Sequence, residues 1–227
     1  MLSKCATLAL VTTARERARI ETTRAILDEA GRQLVEHGAA GLSLRAVARG
    51  VGMVSSAVYR YFPSRDELLT ALILGAYDAV GERAEAAAST EGSPRQRWRA
   101  VWRAVREWAL ERPAEYALIY GSPVPGYAAP QDTVRAAQRV VLALLAIVVE
   151  AGATVPDPGE EVRRALAPVV LPGLEPAAAP AAVAAWTLLF GTIGFELFGQ
   201  FENVVVDRAA YFDHVADTAA AGVGLPA

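Results

Sequence analysis

The chain has 227 residues, 53% of them hydrophobic and 21% charged, which suffices for a buried core and excludes a disordered chain. A single cysteine, Cys5, and two histidines, His37 and His214, leave no internal disulfide and no cysteine- or histidine-rich metal site, as suits the cytoplasm. The net charge of −3 is unevenly spread: residues 1–70 hold ten basic and seven acidic side chains, and residues 71–227 hold twelve and eighteen. A small basic head on an acidic body fits a polyanion partner, and a chance distribution would look the same.

Residues 1–19 place Lys4 before a short apolar run, but Thr and Arg follow at once with no small-residue cleavage site, so residues 1–14 are expected to be a flexible arm. The first helix puts Ile20, Thr23, Leu27, Ala30 and Leu34 on one face and closes at His37-Gly38, where glycine supplies a left-handed cap. The second opens at Ser43, whose hydroxyl is suited to cap it, buries Leu44, Val47, Ala48 and Val51, and ends at Gly52. The third, Ser55–Phe62, has about two turns and is too short to stand alone, so Val58 and Phe62 must hold it by packing. Its cap is expected at Ser55, because Val54 has no hydroxyl. Pro63-Ser64 stops it, and Ser64 caps a fourth helix with Asp66 and Glu67 in its first turn and Leu68, Leu69, Leu72, Ile73, Ala76 and Val80 inward.

Beyond a polar stretch at 89–94, helical spacing predicts helices near 94–112, 113–121, 131–152, 160–171, 180–202 and 207–222, with Pro-rich loops at 122–130 and 171–180. Strand signals are nearly absent. The expectation is an all-α protein with a helix-turn-helix head at 15–65 and a helical body at 66–227. The longest apolar run, Val140–Val149, is far short of the roughly 20 residues of a membrane span.

The segment GLSLRAVARGVGMVSSAVYRYFPSRDELL, Gly41–Leu69, carries a Ser-led helix, a Gly turn, a short helix ending in Tyr-x-Tyr-Phe and a Ser-Arg-x-x-Leu-Leu start. It resembles the DNA-binding head of the TetR (tetracycline-repressor-type) regulators over about 50 residues counting the first helix. It departs from their pattern at Val54, where Ser or Thr is usual. The resemblance implies a homodimer that binds double-stranded operator DNA and a body that takes a small ligand. The physical reading agrees. A major groove admits a helix, whose N-terminal residues read base edges. Ser55, Ser56 and Ala57 are candidates for base contacts. Tyr59 is expected on the open side, with the core-aromatic alternative open. Arg60, Tyr61, Arg65, Arg45 and Ser43, at the start of the second helix, suit the backbone, with Arg60 equally readable as a solvated charge.

In the body, EYALIYGSPVPGY (Glu115–Tyr127) and WTLLFGTIGFELFGQFEN (Trp186–Asn203) resemble one C-terminal subtype of the same family, in which a Trp helix packs into the dimer. Helix 180–202 is apolar nearly all round, and Gly191 and Gly194 admit a close neighbour. It is expected to form the dimer interface with helix 207–222, the alternative being an intramolecular core. Trp98, Trp102, Tyr116, Tyr120, Tyr127 and Phe190 are candidate pocket residues for a hydrophobic or amphipathic effector, and plain packing explains such aromatics equally well. No nucleophile motif, Gly-rich phosphate loop or metal-ligand cluster supports an enzyme or a cofactor. The expected function is a ligand-responsive regulator, a repressor before an activator. A helical small-molecule carrier or interaction protein without DNA binding is the alternative, and no membrane partner is expected.

Overall fold

The computed structural model describes residues 13–166 and 175–226. Residues 1–12 of the expected arm, the end of the 160–171 helix and the start of the 171–180 loop lie outside them. Among the described residues every regular element is helical, and the chain divides into two compact units, one ending at Leu72 and one beginning at Ile73.

The first unit holds α1 (Ala14–Gly41), α2 (Leu44–Gly50), α3 (Ser55–Val58) and the opening turns of α4 (Arg65–Ala88). Thr13 and Glu16 form a capping box that starts α1. Gly38, at φ 67°, breaks α1 where glycine is required, as expected. Ile26, Ala30 and Leu34 are buried, but Ile20 is 60% exposed, because the first two turns of α1 project beyond the residues that α2 and α3 cover. Leu44, Val47 and Ala48 of α2 meet Val58 and Phe62 in the same small core. Gly52, at φ 68°, makes the turn into α3.

The second unit is built around α5 (Pro94–Glu111), opened by a Ser93–Gln96 capping box. Its apolar face, Trp98, Val101, Trp102, Val105, Trp108 and Ala109, is wholly buried. Around it pack α6 (Pro113–Tyr120), α8 (Arg139–Glu150), α10 (Ala179–Leu197) and α11 (Arg208–Gly222), with the short α7 (Thr133–Ala137) and α9 (Glu160–Ala165) outside. The expected helix 131–152 is interrupted at Gln138 between α7 and α8. The expected helix 180–202 stops at Leu197, because Phe198 leaves helical geometry and Gly199 takes φ 81°.

The opposite face of α5 is basic at helical spacing, and each guanidinium finds an acid on α10 or α11. Arg99 donates to both oxygens of Asp217, and Arg103 to both of Asp213. Arg106 forks onto Glu196 at 2.7 and 2.6 Å. Glu196 is buried, and this pair satisfies a carboxylate inside a helix that is otherwise uncharged.

Contrary to the sequence expectation, one helix, α10, is long and apolar enough by length and composition to cross a membrane, and only 22% of that stretch is buried within the chain. The run was missed because Gly, Thr and Pro divide it into short apolar pieces. Trp186, Leu188, Phe195 and Phe198 are all more than 40% exposed.

Candidate nucleic-acid interface and ligand cavities

In the first unit, α3 is a single helical turn extended by hydrogen-bonded turns through Phe62. Val54 occupies the N-cap position, so the cap does not shift to Ser55, and no side-chain oxygen bonds the first amides. Neither serine is consumed by capping. Ser56 and Arg60 are exposed and Ser55 half-exposed. Tyr59 is 43% exposed, which removes the core-aromatic alternative. Ala57 differs from expectation: it turns inward beside Val58, since a one-turn helix must give its third and fourth residues to the core. Tyr61 is half-buried under the Arg19 guanidinium, which lies 5.5 Å from its ring centre.

An open hollow of about 340 Å³ brings Ser43, Arg45, Tyr59 and Arg65 together, with Leu42, Leu44 and Ser64. Ser43 stands at the N-cap of α2 without making the expected side-chain cap bond. Ser64 accepts from the Glu67 amide at 3.1 Å and so caps α4 as expected. Arg65 behaves differently from a free phosphate ligand. Its guanidinium donates to the carbonyls of Ala39 (2.7 Å), Leu42 (3.2 Å) and Ala40 (3.5 Å) at the end of α1, where Ala39 also accepts the Leu42 amide. The helix-end carbonyls are what the sequence could not reveal, because they carry no side-chain signature. The floor of the hollow is therefore a braced corner, rimmed by hydroxyls and the exposed Arg45.

Among the described residues of the second unit, two apolar hollows divide the expected pocket residues. A narrow seam of only about 20 Å³ lies among Trp98, α8 (Val141, Leu144, Leu145 and Val148) and the start of α10, with Ala178, Ala182, Ala185 and Trp186. An open groove of about 470 Å³ runs along α10 beside α6, lined by Tyr116, Tyr120, Phe190, Trp186, Phe195 and Phe198 with Gln200. Tyr120 stacks on Phe190 at 3.9 Å, and the Tyr116 hydroxyl donates to the Phe190 carbonyl at 2.6 Å. Burial pushes both phenols well above their ordinary range, so both are neutral. Trp102 is fully buried between Trp98 and Phe212 and lines neither hollow, and Tyr127 lines neither. Residues such as Val141 and Ala182 were missed, because an aliphatic cavity wall carries the same helical pattern as a solid core.

Two family profiles match. Residues 26–72 match the bacterial regulatory proteins of the tetR family, and residues 98–219 match the tetracyclin repressor-like C-terminal domain. The HTH-type transcriptional regulator Rv1816 of Mycobacterium tuberculosis is 40% identical over 218 residues, covering 88% of this chain and 91% of the relative. The HTH-type transcriptional repressor LfrR of Mycolicibacterium smegmatis is 44% identical over 75 residues, 33% of this chain and 39% of that protein. Among solved structures, regulatory protein SCO4313 superposes with a TM-score of 0.79 at 32% identity, covering 91% of this chain and 98% of the other.

Proposed function

The chain belongs to the TetR family of helix-turn-helix transcriptional regulators, which are DNA-binding proteins and not enzymes, and from that premise we propose that it is a repressor that binds a palindromic operator as a homodimer and is released by a small apolar effector. The observation that carries the DNA half is the sidedness of the turn from Ser55 to Phe62. Ala57, Val58 and Phe62 fix it from below, while Ser56, Tyr59 and Arg60 stand free. Ser55 and Ser56 read base edges, and Ser43, Arg45, Tyr59, Arg60 and Tyr61 hold the sugar-phosphate backbone. Arg65 braces the corner against which a phosphate rests.

The dimer reading is supported by the exposed apolar arc of α10, which a second copy would cover. Release is supported by the seam and the groove of the body, whose described linings are apolar and neutral polar side chains. A repressor is favoured because 75 residues of the chain are 44% identical to a stretch of a protein named as one. Selection of duplexes from a random pool tests the reading. Recovery of an inverted repeat, bound by two chains and released by neutral apolar compounds, is the expected result. Recovery of a single unpaired half-site would refute the palindromic dimer.

A further inference from the structure

One helix of the body touches the narrow seam on one face and α4 on the other. At about 100° per residue, Val141, Leu144, Leu145 and Val148 of α8 lie within roughly 60° of the direction opposite Arg139. These four line the seam. From the far side, Arg139 reaches across α4. Its Nε and one terminal nitrogen donate to the two oxygens of Glu85 at 2.8 and 2.7 Å. Its other terminal nitrogen donates to the Asp78 carboxylate at 2.8 Å and to the Asp78 carbonyl at 3.2 Å. The crossing depends on Gly81, where a Cβ would stand 2.7 Å from the Arg139 Nε and 2.8 Å from its Cβ and Cδ.

The other end of α8 is strapped too. Arg97 donates to the carbonyl of Ala88, the last residue of α4, at 2.7 Å, and to Glu150, the last residue of α8, at 2.9 Å. Guanidinium groups thus tie α8 to α4 at both ends. The seam holds about 20 Å³, room for about one water, so a larger occupant seated between α8 and α10 pushes one of them aside. A displaced α8 pulls on α4, and α4 runs unbroken from Arg65 to Ala88 across the division between head and body.

We propose that Arg139 is the coupling residue of this chain: by gripping Asp78 and Glu85 across Gly81, it transmits displacement of α8 at the seam to α4 and so to the DNA-binding head. The proposal rests on the effector reading above and adds the seam as its entry point and the residue that relays it.

The test replaces the unidentified effector with built-in wedges. Ala182→Phe and Ala185→Leu each add bulk to the α10 wall of the seam, and melting curves identify which of the two folds. Affinity for the selected operator is then measured with Arg139 present and with Arg139→Gln. The folded wedge is expected to weaken operator binding by about tenfold or more beside Arg139 and by less than about threefold beside Gln, within the usual span of allosteric couplings. Arg139→Lys keeps the charge but loses the fork and is expected to fall between. A purely structural role for Arg139 predicts equal weakening by the wedge in both backgrounds, and that result overturns the proposal. So does a folded wedge that leaves operator binding unchanged beside Arg139. Nile red, a neutral apolar fluorophore, separates the two readings. Should the wedge act through Arg139 while saturating Nile red leaves the operator bound, the coupling stands and the apolar-effector reading falls.

Discussion

Arg65 turns its guanidinium toward the end of α1, where it donates to the carbonyls of Ala39, Ala40 and the C-cap residue Leu42. A charged hydrogen bond to a partly buried acceptor is worth about 1.5–3 kcal/mol, so Arg65→Ala is expected to destabilise the head by roughly that amount. Urea unfolding followed by circular dichroism checks this, and unchanged stability would return Arg65 to the role of a plain phosphate contact. The same sidedness argument separates two neighbours on α3. Ser56 is exposed, so Ser56→Ala is expected to alter which operator sequence is preferred while leaving the fold intact. Ala57 is buried, so Ala57→Leu is expected to overpack the head, at about 1–3 kcal/mol, and to weaken binding to every sequence alike. Selection from a random duplex pool with each variant distinguishes the two outcomes.

Helix α5 presents tryptophans to the core and Arg99, Arg103 and Arg106 to α10 and α11. The acids that meet the arginines were not legible as partners, since Asp213 and Asp217 lie more than a hundred residues away. The head could be read almost element by element, because turn glycines and the Ser64 stop are local signals, whereas the caps expected at Ser43 and Ser55 did not form. The hollows could not, because whether Trp98 borders space and Trp102 does not is decided by α8, α10 and α11 together. The salt-bridge face makes a pH prediction. Hydrogen bonds from Arg103 and Arg99 hold the Asp213 and Asp217 carboxyls below their ordinary range. A depressed carboxylate stabilises the fold fully above the unfolded value of about 3.9, and that contribution is lost as pH falls through the lower folded value. Between about pH 5 and 2, the Asp213→Asn, Asp217→Asn double variant is therefore expected to lose less stability than the unmutated chain, measured by melting temperature. Glu196 is the costlier position. It is 6% exposed at its side chain, and Glu196→Ala leaves Arg106 unpaired, for an expected loss of about 3–5 kcal/mol.

For the whole molecule, the informative surface is the part of α10 that the single chain leaves uncovered. Ile193 and Leu189 are fully buried in the chain's own core, so a charge at Ile193 would unfold the body and say nothing about assembly. The exposed arc carries Trp186, Leu188, Phe195 and Phe198, interrupted by glycine. Gly191 is the diagnostic residue there, because a Cβ added to it meets nothing within 4 Å in the chain. The isolated subunit therefore has no packing reason to keep glycine at 191, whereas a partner helix approaching closely along this arc does. Gly191→Leu is expected to melt within a few degrees of the unmutated protein and yet to run as a monomer by light scattering. Because two half-sites held by one dimer act at high effective concentration, the same variant is expected to lose about 10²-fold or more in operator affinity while its weak binding to random duplex persists. A Gly191→Leu protein that remains dimeric with full operator affinity would move the interface away from this face of α10 and leave its exposed aromatic side chains without an assembly role.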